Sequence, residues 1–117
     1  MLTKDSIERL LKEADLLLSK GDVIQASEKY YKAAEEAIKS LSYKNSLKIL
    51  SKVKQIGHWN SKLYFKAVDE LENIYPNIRL CWISAWILHI EGFHEIRLRG
   101  DDVMQLRKYI EKLIKLL

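Results

Sequence analysis

The sequence predicts an all-α fold, and three observations predict it. The 117 residues contain one proline and four glycines, too little punctuation for the many turns of an all-β chain. Leu, Ile, Lys, Glu and Ala dominate, as they do in helices. Apolar residues recur at three- and four-residue spacing between recognisable start and stop signals. With 48% hydrophobic residues, residues 1–117 suffice for one compact domain and are too few for two.

The elements follow in order. Thr3 and Asp5 are candidate N-caps, Asp5 and Glu8 have capping-box spacing, and Ile7, Leu10, Leu11, Ala14, Leu17 and Leu18 repeat at helical period up to Gly21. Asp22 caps the next helix directly, with Gln25 three residues on, so the first two helices must lie antiparallel. That second helix carries Tyr30, Ala34, Ala37 and Leu41 on one face, with Ile24, Tyr31 and Ile38 beside it, and its alanines permit close helix approach. Asn45 to Ile56 stays helical, as a separate helix or a continuation of the second, and Gly57 ends it. Asn60 caps a helix bearing Leu63, Tyr64, Ala67, Val68, Leu71 and Tyr75, which Pro76 closes. Asn77 is the candidate cap of a helix from Ile78 to about Glu95, and Gly100 and Asp101 introduce a last one through Val103, Leu106, Ile110, Leu113 and Leu117. The count is five or six helices.

The helix from Ile78 is apolar nearly all round, with Leu80, Trp82, Ile83, Trp86, Ile87 and Ile90 covering more than one face. Such a helix is a central element or lies at an oligomer interface, and the core is expected on it. The apolar run Ile78 to Ile90 falls short of the roughly 20 residues that span a bilayer, and the N-terminus lacks the layout of a secretory signal. A soluble cytoplasmic protein is expected, with no membrane partner. The single cysteine, Cys81, excludes an intrachain disulfide and a zinc site built on Cys pairs, and reads as a small buried hydrophobe. Richness in Ile, Lys and Glu with only three Gln is the compositional tilt of a thermophile.

Net charge is +4, and its distribution matters more than its size. No acidic residue lies between Glu36 and Asp69, yet seven lysines do: Lys39, Lys44, Lys48, Lys52, Lys54, Lys62 and Lys66. Lys44, Lys48 and Lys52, four apart, would form a phosphate-sized stripe, with Trp59 a stacking partner for a base. A lysine face is more often only solvated, and an aromatic more often core.

The stretch ILHIEGFHE holds the candidate catalytic residues His89, Glu91, His94 and Glu95. Trp82, Trp86, His89 and Phe93 step by four, three and four, so His89 belongs to an aromatic stripe and reads first as a packed, hydrogen-bonded side chain. His94 is five residues on, about 140° around an ideal helix, poor geometry for two ligands of one metal. Glu91, His94 and Glu95 share a face that would suit an acid–base pair, a divalent ion, or pairing of Glu95 with Arg99. Their plainer reading is a solvated polar face at a helix end. Gly92 costs about 1 kcal/mol relative to Ala inside a helix, so either another backbone packs against it or the helix bends there. No glycine-rich phosphate loop or nucleophile elbow is present, and no metal or cofactor is expected.

Taken together, GDVIQASEKYYKAAEEAIKSL, then GHWN with LYFKAVDEL, then AWILHIEGFHE resemble the archaeal PaREP family, helical proteins placed in the HEPN (higher eukaryotes and prokaryotes nucleotide-binding) superfamily. The resemblance spans about Leu10 to Leu113 and implies an up-and-down, commonly dimeric bundle with no established activity for this branch. Many HEPN proteins are metal-independent ribonucleases using an Arg followed four to six residues later by a His. This chain lacks that motif: Arg79 lies too far before His89, Arg97 and Arg99 precede no histidine, and Lys52 before His58 is the wrong cation for a bidentate phosphate contact. The sequence therefore favours a non-enzymatic homodimer that binds a protein or nucleic-acid partner, with a divergent ribonuclease or nucleotide-processing enzyme, linked to a toxin–antitoxin pair, as the alternative.

Overall fold

In the computed structural model, which describes residues 1–117, six α-helices and one π-helical segment follow one another: α1 (Lys4–Ser19), α2 (Val23–Lys44), α3 (Ile49–Ile56), α4 (Ser61–Leu71), α5 (Ile78–Ile87), the π segment (Leu88–His94) and α6 (Gly100–Ile114). There is no strand, and the all-α expectation holds. No helix is long and apolar enough to cross a membrane.

Local capping works largely as the sequence dictates. The Thr3 hydroxyl accepts from the Ser6 N–H, Asp22 Oδ1 from the Gln25 N–H at 3.1 Å, and Asn60 Oδ1 from the Leu63 N–H at 3.0 Å. The Gly21–Asp22 turn, with Gly21 at φ +82°, folds α2 back along α1. At α6 the capping carboxylate is Asp102, not Asp101: it reaches back to the Arg99 N–H at 2.9 Å, and the helix begins at Gly100, two residues earlier than an Asp101 cap would allow. Asn77 stands at the cap position of α5 but makes no capping hydrogen bond.

One open alternative is decided and two expectations change. The segment after α2 is a separate helix, because Asn45–Lys48 turns away from α2 with Ser46 at φ +49°. The carboxylate of Glu70 on α4 then caps α3, accepting from the N–H groups of Lys48 and Ile49 at 2.8 Å each. Helix α4 ends at Leu71, well before Pro76. The turns that follow return Arg79 of α5 to Glu72, at 2.8 Å, and to Asp69. Finally, the central helix is α2 rather than the helix from Ile78. It packs against α1, α4, α5, α6 and the π segment, because Ala26, Ala33, Ala34 and Ala37, all fully buried, let neighbours approach from several sides.

Helix α5 is two-faced. Ile78, Cys81, Trp82, Ala85 and the following Leu88 point inward, with Trp82 fully buried between Tyr31, Tyr64 and Phe65. On the opposite side Leu80 and Ile83 are 51% and 40% exposed, with Ile87 and Ile90 half-buried on the same stripe.

Candidate functional site

The π segment decides the geometry of the histidines. Its hydrogen bonds run five residues back, as from the Glu95 N–H to the Ile90 carbonyl at 2.8 Å, so residues five apart come onto one face. Of the two features foreseen for Gly92, the departure from a regular α-helix is present, while what packs against it is the Ser27 side chain rather than another backbone. A Cβ there would stand 2.4 Å from Ser27 Oγ and 2.7 Å from Ser27 Cβ, so only glycine lets this turn close onto α2.

His89 and His94 therefore meet, contrary to the separation of about 140° expected on an ideal helix. Their Nε2 atoms are 3.2 Å apart and the rings stand edge to face. His89 Nδ1 lies 2.9 Å from Glu28 Oε1 on α2, and the ring stacks on Tyr31 at 4.1 Å between centroids. A carboxylate facing Nδ1 requires an N–H there, so in the neutral ring Nε2 carries the lone pair and accepts from His94 Nε2–H. The tautomers of both rings follow from one carboxylate. Burial, and then Glu35, push the Tyr31 phenol well above the usual tyrosine range, so it stays protonated. Glu28, Tyr31, Lys32, Glu35 and His89 line a groove of about 370 Å³.

The other candidates are dispersed. Glu91 and Glu95 both turn to Arg97, at 3.4 and 2.9 Å, and leave His94 alone; Arg99 goes to Asp101 instead of Glu95. The face shared by Glu91, His94 and Glu95 does not survive the π register. The lysine stripe is broken as well, since Lys44 ends α2, Lys48 precedes α3, and only Lys48 and Lys52 stand one turn apart. Trp59 stacks on Tyr64 at 4.9 Å and packs against the core.

Sequence reasoning missed Glu28 and Tyr31 as members of the site. Their signal was present: Glu28, Tyr31, Lys32 and Glu35 stand three and four apart, a polar face of α2 with a tyrosine set into it. The Glu28–His89 pair could orient a base, yet neither histidine hydrogen-bonds a serine, threonine or cysteine that could serve as nucleophile.

The likeness to known proteins is strong in structure. The crystal structure of a protein from Sulfolobus solfataricus superposes with a TM-score of 0.90 at 45% identity, over 99% of this chain and 94% of that one. The solution structure of the Orf c02003 protein gives 0.85 at 48% identity, over 95% and 87%. No curated protein matches. The profile of the archaeal PaREP1/PaREP8 family matches residues 2–114, nearly the whole chain, and the chain belongs to that family.

Proposed function

We propose that this chain is a HEPN-like, cytoplasmic, non-enzymatic module that pairs with a second copy of itself and, as a dimer, binds a nucleic-acid or protein partner. The observation that carries it is the outer face of α5 and the start of the π segment, where Leu80, Ile83, Ile87 and Ile90 form an apolar stripe opposite the face already buried in the core. A helix apolar on both sides gains by covering the second one, at roughly 25 cal/mol per Å² removed from water. Ile83→Asp places a charge in the middle of that stripe without touching the core. The wild type is expected to sediment as a dimer and the variant as a monomer, with unchanged helicity. A wild type that stays monomeric at every concentration overturns the pairing.

The lysine-rich middle supports a nucleic-acid partner. Lys44, Lys48, Lys52, Lys54, Lys62 and Lys66 are exposed and form no ion pair, so their charge is free to meet phosphates. Titration of labelled single-stranded RNA is expected to show an affinity that falls roughly tenfold or more between about 50 and 200 mM salt. Absence of binding at both salts turns the reading to a protein partner. The Glu28–His89–His94 chain keeps one second reading open, a divergent ribonuclease or nucleotide-processing enzyme of a toxin–antitoxin pair. RNA recovered shortened from that titration, and intact with His94→Ala, is its signature.

A further inference from the structure

The histidine pair can do something neither reading requires. We propose that His89 and His94 chelate a divalent transition-metal ion of borderline softness, Zn²⁺, Ni²⁺ or Cu²⁺, through their two Nε2 atoms. On an α-helix two histidines share a metal when they are four apart; on this π segment the five-residue spacing does the same work. Two nitrogens each about 2.0–2.1 Å from a tetrahedral ion lie about 3.3 Å from one another, and about 2.9 Å at an octahedral one. The observed 3.2 Å falls between these values. The ion sits to one side of the line joining the two nitrogens, so the exposed His94 ring turns toward it, releases its Nε2 proton to water and takes one up at Nδ1, which leaves both Nε2 lone pairs free for the ion.

The surroundings are those of a ligand pair. Glu28 holds Nδ1–H of His89 and leaves Nε2 as the donor, the arrangement in which a second carboxylate shell orients a metal-binding imidazole. Stacking on Tyr31 fixes the plane of that ring. His89 is half-buried and His94 exposed, so ions reach the pair from solvent. No group of three His, Cys, Asp or Glu side chains converges here, and the remaining positions are left to water or to an exogenous donor. Two imidazoles without a carboxylate in the first coordination sphere select against Mg²⁺ and Ca²⁺, which demand oxygen.

The test is calorimetric titration of tag-free protein with Ni²⁺ and Zn²⁺, and with Mg²⁺ as the control. One saturable site per chain is expected for the first two and none for Mg²⁺; one ion per two chains supports the same ligands shared between copies. His94→Ala, whose side chain is exposed, keeps its melting temperature and loses the site. Glu28→Gln weakens binding by roughly tenfold to a hundredfold, and His58→Ala, which removes the third histidine of the chain, leaves it unchanged. The assignment is overturned if the wild type takes up no ion, or if the variant without His94 binds as tightly as the wild type.

Discussion

Gly92→Ala is expected to destabilise the protein by about 3 kcal/mol, the upper end of what overpacking a filled interior costs. The sign is the informative part. Inside an exposed helix the same substitution would stabilise by about 1 kcal/mol, since alanine is the better helix former. Here the added Cβ would stand 2.4 Å from Ser27 Oγ and 2.7 Å from Ser27 Cβ, with Leu98 Cδ1 at 3.3 Å behind it. Ser27 cannot swing aside cheaply, because its hydroxyl donates to the Val23 carbonyl at 2.7 Å and its side chain is buried on α2. The π segment must then lift from α2, and His89 must leave both Glu28 and Tyr31. Urea denaturation measures the loss, and for a chain of this size the melting temperature should fall by about 4 °C per kcal/mol. Ser27→Gly in the same chain vacates the space and should restore much of it, whereas Ser27→Ala should not, because its Cβ remains in the way. A stable Gly92→Ala protein would mean that the close approach of α2 does not hold the π register.

That contact also shows where legibility in the sequence ends. Thr3, Asp22 and Asn60 were readable as caps because each bonds an N–H three residues ahead, a rule contained in the local sequence. Glu70 capping α3 was not readable, since it acts across 22 residues and through a turn whose left-handed Ser46 carries no signature. The end of α4 was misplaced for the same reason: Pro76 sets a latest stopping point, while the pairing of Arg79 with Glu72 and Asp69 accompanies an earlier one. Most costly was the assumption of an ideal α-helix through Phe93. The stretch ILHIEGFHE was read as a mixture of packed and polar groups, yet the face each residue occupies depends on a register that follows contact with Ser27. The centrality assigned to the helix from Ile78 failed because apolarity measures what wants to be covered, not what is covered. Small residues, the alanines of α2, mark the helix around which others gather.

Asp15→Ala is expected to cost about 2 kcal/mol, with a dependence on pH that identifies its origin. Asp15 on α1 accepts from Arg107 of α6 through two oxygens, at 2.6 and 2.8 Å, and from the hydroxyl of Tyr30 on α2, so one carboxylate ties three helices. Removing it leaves the Tyr30 phenol without its partner and the part-buried Arg107 guanidinium with Glu111 alone, at 3.1 Å. The pair remains about a third exposed, which screens it and keeps the cost below that of a fully buried ion pair. The Arg107 hydrogen bond, opposed by burial and aided by Tyr30, holds the Asp15 carboxyl below its ordinary value of 3.8. A carboxyl depressed on folding stabilises the native state above its unfolded pKa and loses that contribution as pH falls through the folded one. The stability difference between the wild type and Asp15→Asn should therefore be flat from about pH 7 to 5 and shrink only below about pH 4. It should also narrow in high salt. A gap that persists unchanged into acid would assign the effect to packing and neutral hydrogen bonds. Because Asp15 and Arg107 stand 92 residues apart, a double-mutant cycle between them isolates the coupling that this one pair contributes between α1 and α6.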